Sequence, residues 1–371
     1  MLQCGRGKIH MLYWKSLCAA LLVATLAACE PDETTDAEAR VLIGLGAGIW
    51  GLYGPYQLIP AGGGTLNIAI AGEGTRAINY DPSCTGATNN NTYHYFVKYS
   101  ETGSSNLLIN YMGGGACWDG RNCFGENTST YFNVLNGLPD FWVNAAFRGV
   151  MDYRSTENPF QDWNVVFVPY CSGDIHWGSQ DQVYTNPTTG ASETIRHRGF
   201  DNAMAALDFS LTSFPSPEKV MVFGQSAGGY GALFHFPYVR EVYPSAQVYL
   251  IGYAAAGVIT TQFNSSTSNN WGVTRGLPDW VPGISAGGIA TLDVGQLYQS
   301  VAPHYPQSRL GQYTTRFDGN QRYFYNTMLV IDANTPYQDT ESYFGESDGS
   351  EMTDANNCTW VDTALAQVTS P

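Results

Sequence analysis

The chain has 371 residues, enough for one large core, and its 44% apolar and 13% aromatic content excludes a disordered polymer. Charged residues reach only 13%, about half the usual share, so the surface must rely on neutral polar side chains. With 17 Lys+Arg against 32 Asp+Glu the net charge is -15, which repels nucleic acid.

The N-terminus reads as an export signal. Lys15 precedes an apolar run from Leu17 to Ala28, too short for a span of about 20 residues but suited to a secretory leader. The run closes as Leu26-Ala27-Ala28-Cys29, which resembles a bacterial lipobox. The expectation is a lipoprotein-type signal over 1–28, lipidation at Cys29 and attachment to the membrane of the cell envelope. Residues 29–40 are acidic and suit a tether, and 41–371 form one domain. Within it, Gly46-Ala47-Gly48-Ile49-Trp50-Gly51 matches a dinucleotide-binding pattern, but Pro55 and the Gly62-Gly63-Gly64 run prevent the long helix that pattern needs. No cofactor is expected.

Further along, apolar runs predict strands at 66–71, 93–99, 107–112, 165–170, 220–223, 248–252 and 312–317, and helical spacing marks 199–212 and 227–236. Continuously apolar strands alternating with helices predict an α/β domain with a mainly parallel central sheet and helices on both faces. Of the eight cysteines, Cys4 and Cys18 leave with the leader. Cys117 and Cys123 flank a glycine-containing turn and can close a small loop, Cys84 with Cys171 can close a longer one, and Cys358 is left over. No CxxC or HxxxH spacing speaks for a metal.

The predicted strand at 220–223 runs into Gly224-Gln225-Ser226-Ala227-Gly228, a GxSxG pattern. Glycines on either side allow a strained turn that lifts the Ser226 Oγ off the sheet at the start of a helix. The strand at 107–112 runs into Gly113-Gly114-Gly115-Ala116-Cys117-Trp118, a loop able to bring backbone N–H groups close to a ligand. A Ser-Asp-His order needs an acid downstream of the serine. Asp318, after 313–317, competes for that place with Asp332, after 328–331. The histidines beyond the leader, His94, His176, His197, His235 and His304, all precede both aspartates, and His176 is the least improbable base among them.

Three blocks in order, 113–118, 158–164 leading to Tyr170-Cys171-Ser172-Gly173-Asp174 with His176, and 224–229, resemble the pectin acetylesterase family, which also holds Notum-like deacylases. The resemblance implies an α/β-hydrolase fold and metal-free serine carboxylesterase chemistry on acetylated polysaccharide or another ester. It makes Ser226 the nucleophile, Asp318 the acid, and Gly114, Gly115 and Ala227 the oxyanion donors. Trp118, Tyr170, Ser172, Asp174 and His176 would line the pocket. The family places its catalytic histidine beyond the acid, whereas the last histidine here is His304. The expectation is therefore a missing C-terminal segment carrying one His and one Cys, after a helix at 360–369. The alternative is an inactive, lipid-anchored glycan-binding relative.

Overall fold

A computed structural model describes residues 54–86, 93–124, 147–285, 293–315 and 318–335. The leader, Cys29, the tether, Cys358 and the expected helix at 360–369 lie outside these residues. Seven strands form the central sheet: β1 (Gln57–Pro60), β4 (His94–Lys98), β5 (Leu107–Tyr111), β6 (Asn164–Val168), β9 (Lys219–Gln225), β10 (Gln247–Tyr253) and β11 (Arg309–Tyr313). Their spatial order is β1-β4-β6-β5-β9-β10-β11. The last five run parallel, and β4 is antiparallel to both neighbours. This is the mainly parallel sheet the sequence predicts.

Every residue of β4, β5 and β6 is buried, the reason those runs carry no polar alternation. Each fully buried Val, Leu, Ile or Phe there contributes about 1.5–3 kcal/mol. The expected strand at 66–71 appears as β2 (Gly64–Ile70), but it pairs only with β3 (Gly74–Tyr80). Leu66, Ile68 and Ile70 alternate inward, and this hairpin lies over the two main helices. A second hairpin, β7 (Gln180–Thr185) with β8 (Ser192–His197), is equally separate.

Both predicted helices form. Helix α1 (Gly120–Phe124) is short, α2 spans Gly199–Ser213 and α3 spans Ala227–Val242. Helix α3 crosses β5, β9 and β10 with Ala232, Leu233, Phe234, Phe236 and Val239 buried. Three further helices were not among the predicted elements: α4 (Thr261–Asn270), α5 (Val294–His304) and α6 (Gly319–Asp332). The last corrects the reading of 312–317 as a strand ending at Asp318. Register with β10, from Tyr249 opposite Arg309 to Tyr253 opposite Tyr313, starts β11 three residues earlier, and Asp318 instead caps α6.

Candidate active site

Ser226 sits between β9 and α3 with φ 56° and ψ -124°, a conformation costly for any residue with a Cβ. Hydrogen bonds hold it there: its N–H donates to the Tyr253 carbonyl at 2.8 Å, and its carbonyl accepts from Gly229 N–H at 2.8 Å. The turn closes so tightly that a Cβ on Gly224 would lie 1.9 Å from the Gly228 carbonyl oxygen, and one on Gly228 would lie 2.0 Å from the Tyr111 carbonyl oxygen. Ala227 begins the helix, where a backbone N–H has no intrahelical partner.

The glycine-rich loop meets this elbow directly. A Cβ on Gly113 would stand 2.4 Å from the Gln225 carbonyl oxygen and 3.1 Å from the Ser226 Cβ, so the loop lies against the serine only because position 113 is bare. Gly115 adopts φ 82°. Behind the loop, the Tyr170 hydroxyl donates to the Gly115 carbonyl at 2.9 Å and accepts from Ile175 N–H at 2.7 Å. Cys117 donates its N–H to the Gly173 carbonyl, and disulfides join Cys117 to Cys123 and Cys84 to Cys171.

Four residues expected to line the pocket are supports instead. Asp174 is fully buried: one carboxylate oxygen accepts from the Ser172 hydroxyl at 2.6 Å and His176 N–H at 3.1 Å, the other from Gly199 N–H at the start of α2. Burial outweighs these donors and raises its pKa to about 6. His176 is buried too, with Nε2 2.8 Å from the Met112 carbonyl oxygen, and burial lowers its pKa to about 4, so at neutral pH Nε2–H donates to that carbonyl. Tyr170 and Ser172 share this interior. The glycines at 178 and 199 crowd Asp174 so closely that it has no face left for a ligand.

In front of Ser226 lies a cavity that is partly open to solvent. Gly115, Ala116, Ser226 and Ala227 line its end at the serine turn. Trp118, Ile175 and Trp177 line it, and Asp174 and His176 do not. Much of the remaining wall comes from helices the sequence reading missed: Phe263 and Thr267 of α4, Val294 of α5, and Gln321, Phe324 and Met328 of α6. Readable signals existed. Asp293 and Gln296 form a capping box, and Phe263, Thr267 and Trp271 recur at helical spacing.

Asp318 is buried, and Gln321 engages both its carboxylate oxygens, through the backbone N–H at 3.0 Å and Nε2–H at 2.9 Å. Tyr230, one helical turn past Ser226, lines the cavity and accepts from Gly257 N–H. Its phenol is pushed up to about 12, mainly by burial, with the negative charge of Asp318 adding to the effect. The rival Asp332 lies at the opposite end of α6. Three described histidines are held elsewhere, His176 by the Met112 carbonyl, His197 by Ser172 and Tyr184, and His235 by the His176 carbonyl, and His304 is exposed in the last turn of α5.

Residues 83–271 match the family model described as pectinacetylesterase, a stretch that includes the glycine loop and the elbow and stops short of Asp318. Pectin acetylesterase 5 of Arabidopsis thaliana is 29% identical over 153 residues, 41% of this chain and 34% of that one. The palmitoleoyl-protein carboxylesterase Notum of Mus musculus is 26% identical over 160 residues, 42% of this chain and 30% of that one. The matched stretch thus spans about a third of the length of these curated relatives. A solved structure of the Wnt deacylase Notum from Drosophila covers 82% of both chains with a TM-score of 0.50 at 15% identity, a likeness of fold.

Proposed function

Because the chain belongs to the pectinacetylesterase family, we propose that it is a serine carboxylesterase with Ser226 as nucleophile and Asp318 as triad acid. The observation that carries this is the Ser226 elbow pressed against the Gly113–Gly115 loop at the head of a cavity. Ser226 Oγ attacks the acyl carbon while a general base takes its proton, and backbone N–H groups of Gly114, Gly115 and Ala227 receive the oxyanion. The carbon–oxygen bond to the alcohol breaks as the alcohol takes up that proton. Water then attacks the acyl-enzyme and releases the acid. One well-placed oxyanion donor is worth about 3–4 kcal/mol of barrier.

The mostly apolar cavity, with Trp118, Trp177 and Phe263 among its walls, favours an acyl group larger than acetate. The O-acetyl glycan reading rests on the plant relatives' name, and a longer acyl group fits the Notum relatives' name equally well. Two disulfides suit an oxidising, extracytoplasmic location, and the lipobox-like Leu26–Cys29 segment suggests a membrane anchor. Globomycin would then cause the uncleaved precursor to accumulate.

The deciding experiment treats the purified protein with a fluorophosphonate probe, with and without added imidazole to serve as the proton acceptor. Labelling that Ser226→Ala abolishes supports the reading. Absence of labelling under both conditions returns the protein to a glycan-binding role. Turnover of p-nitrophenyl octanoate against acetate then chooses between the two acyl classes.

A further inference from the structure

We infer that Gln321 is the residue that aims the Asp318 carboxylate and fixes its place relative to Ser226, a positioning role that rests on the esterase reading above. The geometry admits one orientation of its side-chain amide. Ala256 N–H can only donate, so the amide oxygen faces it, at 2.8 Å. The amide nitrogen then points the other way and spends its two hydrogens on Asp318 Oδ2 at 2.9 Å and Thr314 Oγ1 at 3.0 Å. Meanwhile Gln321 backbone N–H donates to Asp318 Oδ1 at 3.0 Å. One residue thus grips both carboxylate oxygens, and neither can rotate without losing a bond to it.

The far arm of the amide matters equally. Ala256 belongs to the turn that leaves β10, entered through Ala254 at φ 52° with its N–H on the Tyr313 carbonyl. The residue before that turn, Tyr253, holds the N–H of Ser226. A short covalent and hydrogen-bonded route therefore runs from the carboxylate through the amide and the turn to the nucleophile. Gln321 also forms part of the cavity wall, so the substrate's arrival shields these bonds from water. Among the described residues, the other titratable groups beside the pair are Tyr230, which feels the Asp318 charge, and the buried Arg322, whose Nε reaches the Asp318 carbonyl.

Gln321→Leu removes both arms while keeping the bulk. Gln321→Glu replaces the donor arm with an oxygen that repels Asp318 when ionised and can donate to it when protonated. Steady-state hydrolysis of a p-nitrophenyl ester from pH 5 to 8.5 is read for wild type and both variants. Gln321→Leu should lower kcat by about 10- to 100-fold with KM within about twofold. Gln321→Glu should show a similar loss at pH 8 and regain at least about tenfold relative to wild type toward pH 5. A glutamate variant whose pH profile parallels wild type, or a leucine variant with unchanged kcat, overturns the inference. Hydrogen exchange at the Ala256 amide gives a readout that needs no turnover: Gln321→Leu should accelerate it by more than about tenfold, and unchanged protection also overturns the role. A wild-type protein that neither turns over ester nor labels at Ser226 instead defeats the esterase reading itself, with or without any effect at Ala256.

Discussion

The two halves of the candidate site are built in opposite ways. The nucleophile half, Gly113–Trp118 with Gly224–Tyr230, hangs from β5 and β9, central strands bonded on both edges, and its shape is enforced by backbone contacts that leave no room for a Cβ. The acid half, Asp318 with Gln321, stands at the start of α6 beyond the edge strand β11, whose residues are mostly exposed, and its shape depends on side-chain amides. Strain can be stored only where the surroundings over-determine it, which is why the positive φ of Ser226 is found in the first half. The acid half gives direction to a charge at little backbone cost.

The sharpest way to break this contrast is Asp318→Asn. Asparagine keeps the capping bond from Gln321 N–H but turns an NH2 toward Gln321 Nε2–H, so stability should fall by only about 1–2 kcal/mol while kcat falls by about 10⁴, equivalent to about 5.5 kcal/mol of barrier. A larger loss of stability would show that the acid half is as structurally committed as its partner.

Covalent backing tests the other side. In a chain-entropy model, replacing the Cys84–Cys171 pair, 87 residues apart, costs about 4.6 kcal/mol, and replacing Cys117–Cys123, 6 residues apart, about 2.4 kcal/mol. Urea unfolding of the two Cys→Ser double variants should preserve that ranking. Gly228→Ala follows, because its Cβ would meet the Tyr111 carbonyl and neither backbone can yield cheaply. It should cost about 3 kcal/mol and remove activity and stability together, seen as a lower melting temperature alongside lost probe labelling.

Acid pH should loosen the nucleophile half by smaller steps. Burial lowers the pKa of His176 to about 4 and of His197 and His235 to about 3. Below about pH 6.5 the unfolded chain takes up protons that the native histidines refuse, so stability is complete above that pH and declines beneath it. Each histidine contributes up to about 1.4 kcal/mol per pH unit. Asp174 acts in the opposite sense: with its pKa raised to about 6, the native state binds a proton sooner than the unfolded chain and recovers part of the loss between about pH 6 and 4. Three groups outweigh one, and the urea midpoint should fall between pH 7 and 5. A rising midpoint would mean that Asp174 dominates.

The same contrast explains what the sequence made legible. The elbow and glycine loop are local backbone devices, so Gly224-Gln225-Ser226-Ala227-Gly228 and Gly113-Gly114-Gly115 announce them without knowledge of the fold. The two disulfides were legible as pairings because each cysteine had few partners. The rest of the site is assembled across distance. Helix α4, Thr261–Asn270, is composed almost wholly of polar residues with middling helix propensity, and what makes it helical is the Thr260 cap and the contact of Phe263 with Trp118 and Trp271. Helix α6 opens with Gly319 and Asn320, weak helix formers that hid the Asp318 cap. The segment Tyr170–His176 is expected at the pocket only through the family resemblance. Its polarity instead serves buried backbone donors, a distinction that depends on Gly178 and Gly199 closing over Asp174.

The pairing of the cysteines bears on how the chain is made. The two bonds are nested, Cys117–Cys123 lying wholly inside the loop that Cys84–Cys171 closes. A polypeptide translocated from its N-terminus presents Cys84 before Cys117 and Cys123, and Cys171 only after all three. The earliest partner within reach of Cys84 is therefore a wrong one, and rapid oxidation would trap a Cys84–Cys117 crosslink that pulls the glycine loop away from the sheet. Correct assembly requires either that Cys117 and Cys123 find each other at once, which their short spacing favours, or that an isomerase undo the early bond by thiol exchange. The yield of native protein in an expression host should thus depend on disulfide shuffling capacity more than on the rate of oxidation.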